Sequence, residues 1–504
     1  MKRIAIIGGG IAGLSAAYEL EHHRKSGADI DYLLYEASPR IGGVLQTERI
    51  EGCLIEAGPD SFLTEKPWAS DLCQELGIAN EIIGSNDAAR KTYILVNNRL
   101  IPVPDGLMFL VPTQILPTIL SPLFSLPTKF RMAREYFYPP HDLNNPTHGE
   151  DETVAALVER HYGKEMVERL ADPLLSGVYG GEADQLSVRA VLPRFADMEA
   201  KYGSLGRAML VQNRTAQEKL ANQNPPSPPR PIFSSLRDGM SRLVEVLAAR
   251  INPERIRTSI PITEIQRREY GWLVNTTTGG SSFDAVILAT PTPAAAQLIH
   301  HSAPAVAQEL AEIRYSSSIT VGLVYDGNIQ LPEGFGFLVP RTEKRRLLAC
   351  TFVHNKFPHR APENRTLLRC FLGGSRDEAA LSLSTDEILS IVGRELDEIL
   401  TPRGAIADAP LAARVYKWPG SMAQYSVGHL DRLERIRQLL QETPRLTLAG
   451  NGYRGIGVPD CIRTGREAAI QMLGYLGFLA ETPHPSDRVG TATFGPSSLP
   501  SNPR

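Results

Sequence analysis

Apolar residues recur along this chain with two periods, and the first forty residues show both. "RIAIIG" (3–8) is a short run of Ile and Ala, the pattern of a strand buried on both faces. "IAGLSAAYEL" (11–20) carries its apolar residues at helical spacing, and "IDYLLYE" (30–36) returns to a buried strand ending on Glu36. Strand, helix and strand in this order predict a βαβ unit of a parallel sheet. Further on, "GMSRLVEVLAARI" predicts a helix and "FDAVILATP" (283–291) a buried strand stopped by Pro291, more of the same layer.

The middle of the chain has another rhythm. "TVGLVY", "GFGFLVP", "LLACTF" and "TLLRCFLGG", spread over 320–374, alternate short apolar runs with turns and predict an antiparallel sheet. "TYILVNNRLIPVP" (92–104) predicts a hairpin turning at Asn97–Asn98 that joins that sheet. Residues 106–205 are mostly helical in pattern. "NQNPPSPPRP" (222–231) predicts a linker, and the Pro/Ser-rich tail predicts disorder. No internal repeat is visible.

Within the helical region, "GLMFLVPTQILPTILSPLFSLPTK" carries no charge between Asp105 and Lys129, long enough to cross a bilayer. Prolines at 112, 117, 122 and 127 argue against one straight helix, since each removes a helical N–H and crowds the preceding turn. The expectation is a set of short helices walling an apolar pocket, with a face that rests on a membrane as the sharper reading. Composition then bounds the class. A chain of 504 residues calls for two or three domains, and a net charge of −3 gives no reason to expect nucleic acid. Five scattered cysteines without C-x-x-C spacing predict reduced thiols and no metal site in a cytosolic protein. The apolar N-terminal run contains its own glycine motif, so no signal peptide is expected.

That motif is G-x-G-x-x-G at Gly8, Gly10 and Gly13, set between strand and helix. The glycines allow a tight turn and close backbone approach to a pyrophosphate, and the helix N-terminus offers its N–H groups. Glu36 ends the second strand where an acid takes ribose hydroxyls. "EASPRIGG" then places Glu36, Arg40, Gly42 and Gly43 in the E-x-x-x-R-x-G-G pattern of the amine-oxidase-like flavoproteins, so the dinucleotide is read as FAD. Arg40 suits pyrophosphate charge, with a solvated loop charge as the plain alternative. "EAGPDSFL" offers Gly58, Pro59, Asp60 and Ser61 as a turn able to touch the flavin or ribityl chain.

A second G-x-G-x-x-G, at Gly450, Gly452 and Gly455 in "LAGNGYRGIGVPDC", has no following strand or terminal acid. Pro459 marks a helix start, which makes "GIGV" an approach loop. Reduced flavin gathers negative charge at its N1–C2=O edge, and a helix N-terminus supports it. One FAD, held at both ends of the chain, is the reading.

"GPDSFL", "DPLLSGVYGGEADQLS" (172–187), "SMAQYSVGHL" (421–430) and "GNGYRGIGVPDCI" (450–462) together resemble the oxygen-dependent porphyrinogen oxidases of haem synthesis, from residue 1 to about 478. The resemblance implies an α/β molecule: a Rossmann-like FAD-binding domain (1–82, 230–300, 412–480), an antiparallel-sheet substrate domain (83–105, 301–411) and a helical insertion (106–229), with a tail from 481. It implies a six-electron aromatisation of a porphyrinogen, with oxygen as acceptor and three hydrogen peroxide released. Cofactor contacts carried over are Gly8, Gly9, Gly10, Ile11, Ala12, Gly13, Glu36, Ala37, Val44, Gly58 to Ser61, Ile262, Trp418, Ile456, Gly457 and Val458. Ordinary core packing is the alternative for Trp418.

Substrate candidates are Lys66, Met108, Gly177, Val178, Thr351 and Phe352. Hydride leaves a meso carbon, so no strong side-chain base is required. Lys66 suits a propionate, or is a solvated loop lysine. Met108 fills the place where the eukaryotic protoporphyrinogen oxidases resembling this chain carry arginine. That and Lys66 favour coproporphyrinogen III, with protoporphyrinogen IX as the alternative and an amine oxidase further off. A flavin-free module and an NAD-dependent dehydrogenase are the other rivals. The histidines, His161 and His429 among them, show no metal spacing. Cys461 is read as a packed thiol, with a lowered pKa at the helix start as the alternative. A cytoplasmic location, with a peripheral place at the inner membrane face, and a transient contact with ferrochelatase complete the expectations.

Overall fold

The computed structural model describes residues 1–108, 110–139, 151–221, 230–327, 329–400 and 409–479. Most of the expected linker (222–229) and the tail from 480 lie outside them. Five strands form a wholly parallel sheet: β1 (Lys2–Ile7), β2 (Ile30–Tyr35), β3 (Ile256–Arg257), β4 (Ala285–Leu288) and β5 (Leu446–Leu448), in the order β3-β2-β1-β4-β5. Their side chains alternate between faces. Ile4 and Ile6 of β1 point into a core with helices α1 (Ile11–Lys25), α2 (Ser241–Arg250) and α3 (Val458–Tyr475), while Ala5 and Ile7 point into a second core. That second core is closed by Trp272 and Phe283 of a three-stranded antiparallel sheet and by helices Thr292–Ile299 and Pro304–Ala311. Burial of each large aliphatic side chain contributes about 1.5–3 kcal/mol.

The second large sheet has seven strands, in spatial order Ala412–Ala423, Tyr315–Asp326, Arg365–Gly373, Ala349–Phe352, Gly336–Leu338, Thr92–Val96 and Arg99–Pro102. The last two are the expected hairpin, and Asn97 and Asn98 both take positive φ (49° and 61°), as its tight turn requires. Two features differ from the sequence reading. Gly336–Leu338 runs parallel to Thr92–Val96, so the sheet is not wholly antiparallel. Ala412–Ala423 pairs along Tyr315–Asp326, which places this stretch in the sheet and not, as the boundary at 412 had it, in the FAD layer. Pro419 interrupts the strand pattern there, and a register shift absorbs the irregularity.

The third part is helical. Helices Ile115–Leu120, Leu126–Glu135, Val154–Tyr162, Asp172–Tyr179, Pro193–Tyr202 and Leu205–Ala221 surround Leu157, Tyr162, Leu170 and Leu175. The prolines break the uncharged stretch into short pieces, and among the described residues no helix is long and apolar enough to cross a membrane. His161 bridges Glu135 and Glu199 at 3.0 and 2.9 Å inside this part. His429 lies stacked on Tyr425, its Nε2 2.9 Å from the Tyr453 carbonyl oxygen, and burial pushes its pKa down to about 4.

Candidate functional site

The first fingerprint closes as a cradle. Gly8 has φ +107°, and a Cβ on Gly13 would stand 1.9 Å from the Gly8 carbonyl oxygen, so α1 meets β1 with no room for a side chain. Gly10 faces open space, and no side chain caps α1 behind it. The N–H groups of the first turn, from Ile11 through Ala12 and Gly13, therefore remain to serve a ligand. Gly42 donates its N–H to the Gly9 carbonyl at 2.7 Å, and Gly43 comes within 3.3 Å of Gly10 at its would-be Cβ. The Glu36 carboxylate accepts N–H bonds from Gly9 (2.7 Å) and Ser38 (2.8 Å), which fixes it beside the first loop. Ala37 is exposed next to it, and Ile260 bonds the Glu36 carbonyl, which brings Ile262 alongside. Arg40 donates to the carbonyls of Ile41, Gly43 and Leu45, clamping its own loop.

The turn Gly58–Ser61 packs against the same loop. A Cβ on Gly58 would collide with the Val44 carbonyl, and Trp418 donates its indole N–H to the Ala57 carbonyl at 2.8 Å from the outer strand of the seven-stranded sheet. Trp418 is half-buried, with a defined polar partner. Pro59 separates Gly58 from Asp60, whose two oxygens each lie 3.1 Å from Lys356 Nζ, and Lys356 also donates to Ser61. Burial opposes ionisation of Asp60, yet Lys356 and Arg369 outweigh it and hold the carboxyl well below the usual range. Behind the turn, Glu56 and Arg360 form a buried ion pair at 3.2 Å. Glu56 also accepts from Thr47 and from the Met240 N–H; its burial pushes the pKa up, and Arg360 offsets part of that rise. A cavity of about 10 Å³, lined by Glu56, Asp60, Arg360 and Arg369, has room for one water. The sequence reading missed Lys356, Arg360 and Arg369. A cation in a sequence reads as solvated surface, and nothing in "HNKFPHR" around Lys356 and Arg360, or in "TLLRCFLGG" around Arg369, marks them as withdrawn from solvent.

The C-terminal loop comes to the same region. Gly450 and Gly455 take positive φ (121° and 97°), and α3 starts at Val458 with Gly457 as its cap residue. Gly465 of α3 lies against the Ala12 carbonyl with no space for a Cβ, so the helix crosses α1 at its first turn. Ile456 and Leu338 of the seven-stranded sheet both pack against the helical layer, to which Tyr179 belongs, so all three parts of the molecule meet at that layer. Lys66 pairs with Asp460 of α3, Nζ to Oδ2 2.6 Å. It is thus engaged by its own chain and is not a solvated loop lysine. Cys461 is buried, and burial with Asp460 beside it pushes its thiol up to about 12, the reverse of an activated thiolate.

Of the substrate candidates, Gly177 and Val178 lie exposed on helix Asp172–Tyr179, Val178 at 52%, with Leu338 close to Gly177. Thr351 pairs with Gly336 on the neighbouring strand and is half-buried. Phe352 differs: it points to the other face of the sheet, fully buried among Phe337, Tyr93 and Leu368. Successive strand residues face opposite ways, so Thr351 and Phe352 cannot share one cavity wall. Met108 sits in the short strand Leu107–Met108, paired with Val111.

Residues 11–473 match the flavin containing amine oxidoreductases, and the chain belongs to that family. Within it, the chain is similar along nearly its whole length to enzymes named for porphyrinogens. It is 33% identical to coproporphyrinogen III oxidase of Bacillus subtilis (strain 168) over 480 residues, 94% of this chain and 98% of the relative. It is 29% identical to the chloroplastic protoporphyrinogen oxidase 1 of Spinacia oleracea, over 94% of this chain and 84% of that protein. A solved structure from Exiguobacterium sp. 255-15, attributed to a protoporphyrinogen oxidase, superposes with a TM-score of 0.80 at 31% identity, covering 94% of this chain and 98% of the other. The cofactor is FAD. The glycine cradle, the uncapped start of α1 and the fixed Glu36 carboxylate fit such a dinucleotide.

Proposed function

We propose that this protein oxidises coproporphyrinogen III to coproporphyrin III, with oxygen as acceptor. The observation that carries the reading is the 33% identity to a coproporphyrinogen III oxidase over 94% of the chain. The overall change removes six electrons and six protons from the macrocycle and reduces three oxygen molecules to three hydrogen peroxide. When bound, FAD supplies the hydride acceptor and the route for electrons to oxygen.

The chain's own residues bind and orient. In this reading the first turn of α1 with Gly8 to Gly13 receives the pyrophosphate, Glu36 the ribose, and Ala37 and Ile262 flank the adenine. Arg40, Gly42, Gly43 and Val44 shape the loop beneath, and Gly58 to Ser61, Trp418 and Ile456 to Val458 enclose the ring. The substrate lies between helix Asp172–Tyr179 and the seven-stranded sheet, against Gly177, Val178, Leu338, Thr351 and the backbone at Met108. The FAD layer comprises 1–82, 230–300 and the chain after Ala423, the sheet part 83–105 and 301–423, and the helical part 106–229. An apolar slot that excludes water and fixes the macrocycle suffices, since the leaving hydride needs no side-chain base.

The location is cytoplasmic, with contact at the inner membrane face. Leu116, Ile119, Leu120, Leu126, Phe130 and Phe137 are all exposed on two neighbouring helices and the turn after them, Phe137 at 82%. Arg131 and Arg134 stand exposed among them, and the acid of that segment, Glu135, is buried. Exposed apolar side chains ringed by cations suit an anionic lipid surface. A transient hand-over to ferrochelatase belongs to the same reading.

The deciding measurement is kcat/KM for coproporphyrinogen III and protoporphyrinogen IX in one fluorescence assay on the flavin-loaded protein. Coproporphyrinogen III is expected to lead by tenfold or more, about 1.4 kcal/mol of discrimination in the transition state. A tenfold preference for protoporphyrinogen IX would place the protein with the spinach relative instead. Inactivity on both, in a yellow protein, refutes the reading.

A further inference from the structure

We infer that Asp460, held by Lys66, is a positioning residue that sets the shape and charge of loop 455–458 against the flavin. The inference rests on the proposed assignment of that loop to the flavin ring.

Asp460 is only 4% exposed, and a carboxylate so placed is costly unless it is paired and hydrogen-bonded. Three things compensate it. Lys66 Nζ lies 2.6 Å from Oδ2. The Gly457 N–H donates to the same oxygen at 3.3 Å. The carboxylate also sits in the first turn of α3, where the helix dipole favours a negative charge. The loop closes onto it: Gly455 has φ +97°, and the space its Cβ would take belongs to the Asp460 carboxylate. Any other residue at 455 would expel Asp460 or lift the loop.

Lys66 reaches this carboxylate from across the molecule. It precedes helix Pro67–Glu75 and follows the turn Gly58–Ser61 by a few residues, while Asp460 is 394 residues further on. The pair thus ties the first flavin-facing turn to the last flavin-facing loop. Its charge matters as well as its shape. The carboxylate offsets the positive end of α3, and the ammonium restores it. Removal of one partner leaves a net charge beside the place where reduced flavin gathers negative charge.

The test is the flavin midpoint potential of the holoenzyme for parent, Asp460→Asn, Lys66→Met, the double variant and Lys66→Arg. Asp460→Asn leaves Lys66 unopposed and should favour reduced over oxidised flavin by about tenfold, about 30 mV upward for a two-electron couple. Lys66→Met should shift the potential downward by a similar amount. The double variant should return towards the parent, and Lys66→Arg should stay there. A pair with a merely structural role would lower flavin retention in both single variants without opposite shifts. Shifts of the same sign, or none, in variants saturated with FAD overturn the inference. Because potentials are read without substrate, a parent that holds flavin but oxidises no porphyrinogen refutes the proposed function and leaves this test standing.

Discussion

Alanine at Gly13 and alanine at Gly10 should separate what the protein needs from what the cofactor needs. At Gly13 the added methyl would stand 1.9 Å from the Gly8 carbonyl oxygen, more than 1 Å inside the closest approach a Cβ makes, and the atom it meets is backbone. The helix must move off the strand, and over-packing of this kind costs about 1–3 kcal/mol. At Gly10 the methyl meets no protein atom within 4 Å, and the residue holds extended backbone (φ −70°, ψ 178°) open to alanine. The free protein should therefore tolerate Gly10→Ala with an unchanged Tm, while Gly13→Ala lowers it. With FAD the order changes. Gly10→Ala fills the space read here as the pyrophosphate's, so its FAD affinity should fall at least tenfold, about 1.4 kcal/mol. The assays are differential scanning of the flavin-free protein and titration of FAD by quenching of its fluorescence. If Gly10→Ala binds FAD as tightly as the parent, no ligand approaches that glycine and the cradle is misassigned. If Gly13→Ala leaves Tm and flavin content alone, the close packing of α1 on β1 is wrong.

Arg360→Met should destabilise the protein by about 3–5 kcal/mol, because Glu56 is left as an uncompensated buried charge; urea denaturation of Arg360→Met with and without Glu56→Gln reads the recovery. His429 titrates near 4 when folded against 6.5 when free, so the unfolded chain takes up its proton first. Its contribution to stability is full above about pH 6.5 and is lost as pH falls towards 4, and His429→Phe should flatten the urea midpoint across that window. Parent protein should sediment with vesicles rich in anionic lipid in a salt-sensitive manner, and Phe130→Ser with Phe137→Ser should abolish it; equal sedimentation of both proteins would remove the membrane contact.

How far the sequence could be read depended on how local the determining physics is. The first fingerprint, the helix start at Pro459 and the Asn97–Asn98 turn each rest on residues within a few positions of one another, and all were legible. Phe352 was not, because the choice between it and Thr351 depends on which face of the sheet the slot occupies. The strand Ala412–Ala423 was assigned to the wrong layer, since Pro419 masks an alternation that only pairing with Tyr315–Asp326 reveals. Lys66 and Asp460 carried no common signal across 394 residues. The buried Arg360 and Arg369 became visible only once their carboxylate partners were in place.

The strand order of the parallel sheet bears on how this protein is made. β1 lies between β2 and β4, and β5 at Leu446–Leu448 closes the edge. A ribosome adding about 5–20 residues each second needs roughly 20–90 s to pass from the first strand to the last. Throughout that time the glycine segment is without the α3 loop proposed to face the flavin. On that assignment, a nascent chain is expected to hold its cofactor less tightly than the finished one. On the proposed assignment, cofactor loading is expected to follow synthesis, and a chain cut short before α3 is expected not to turn yellow.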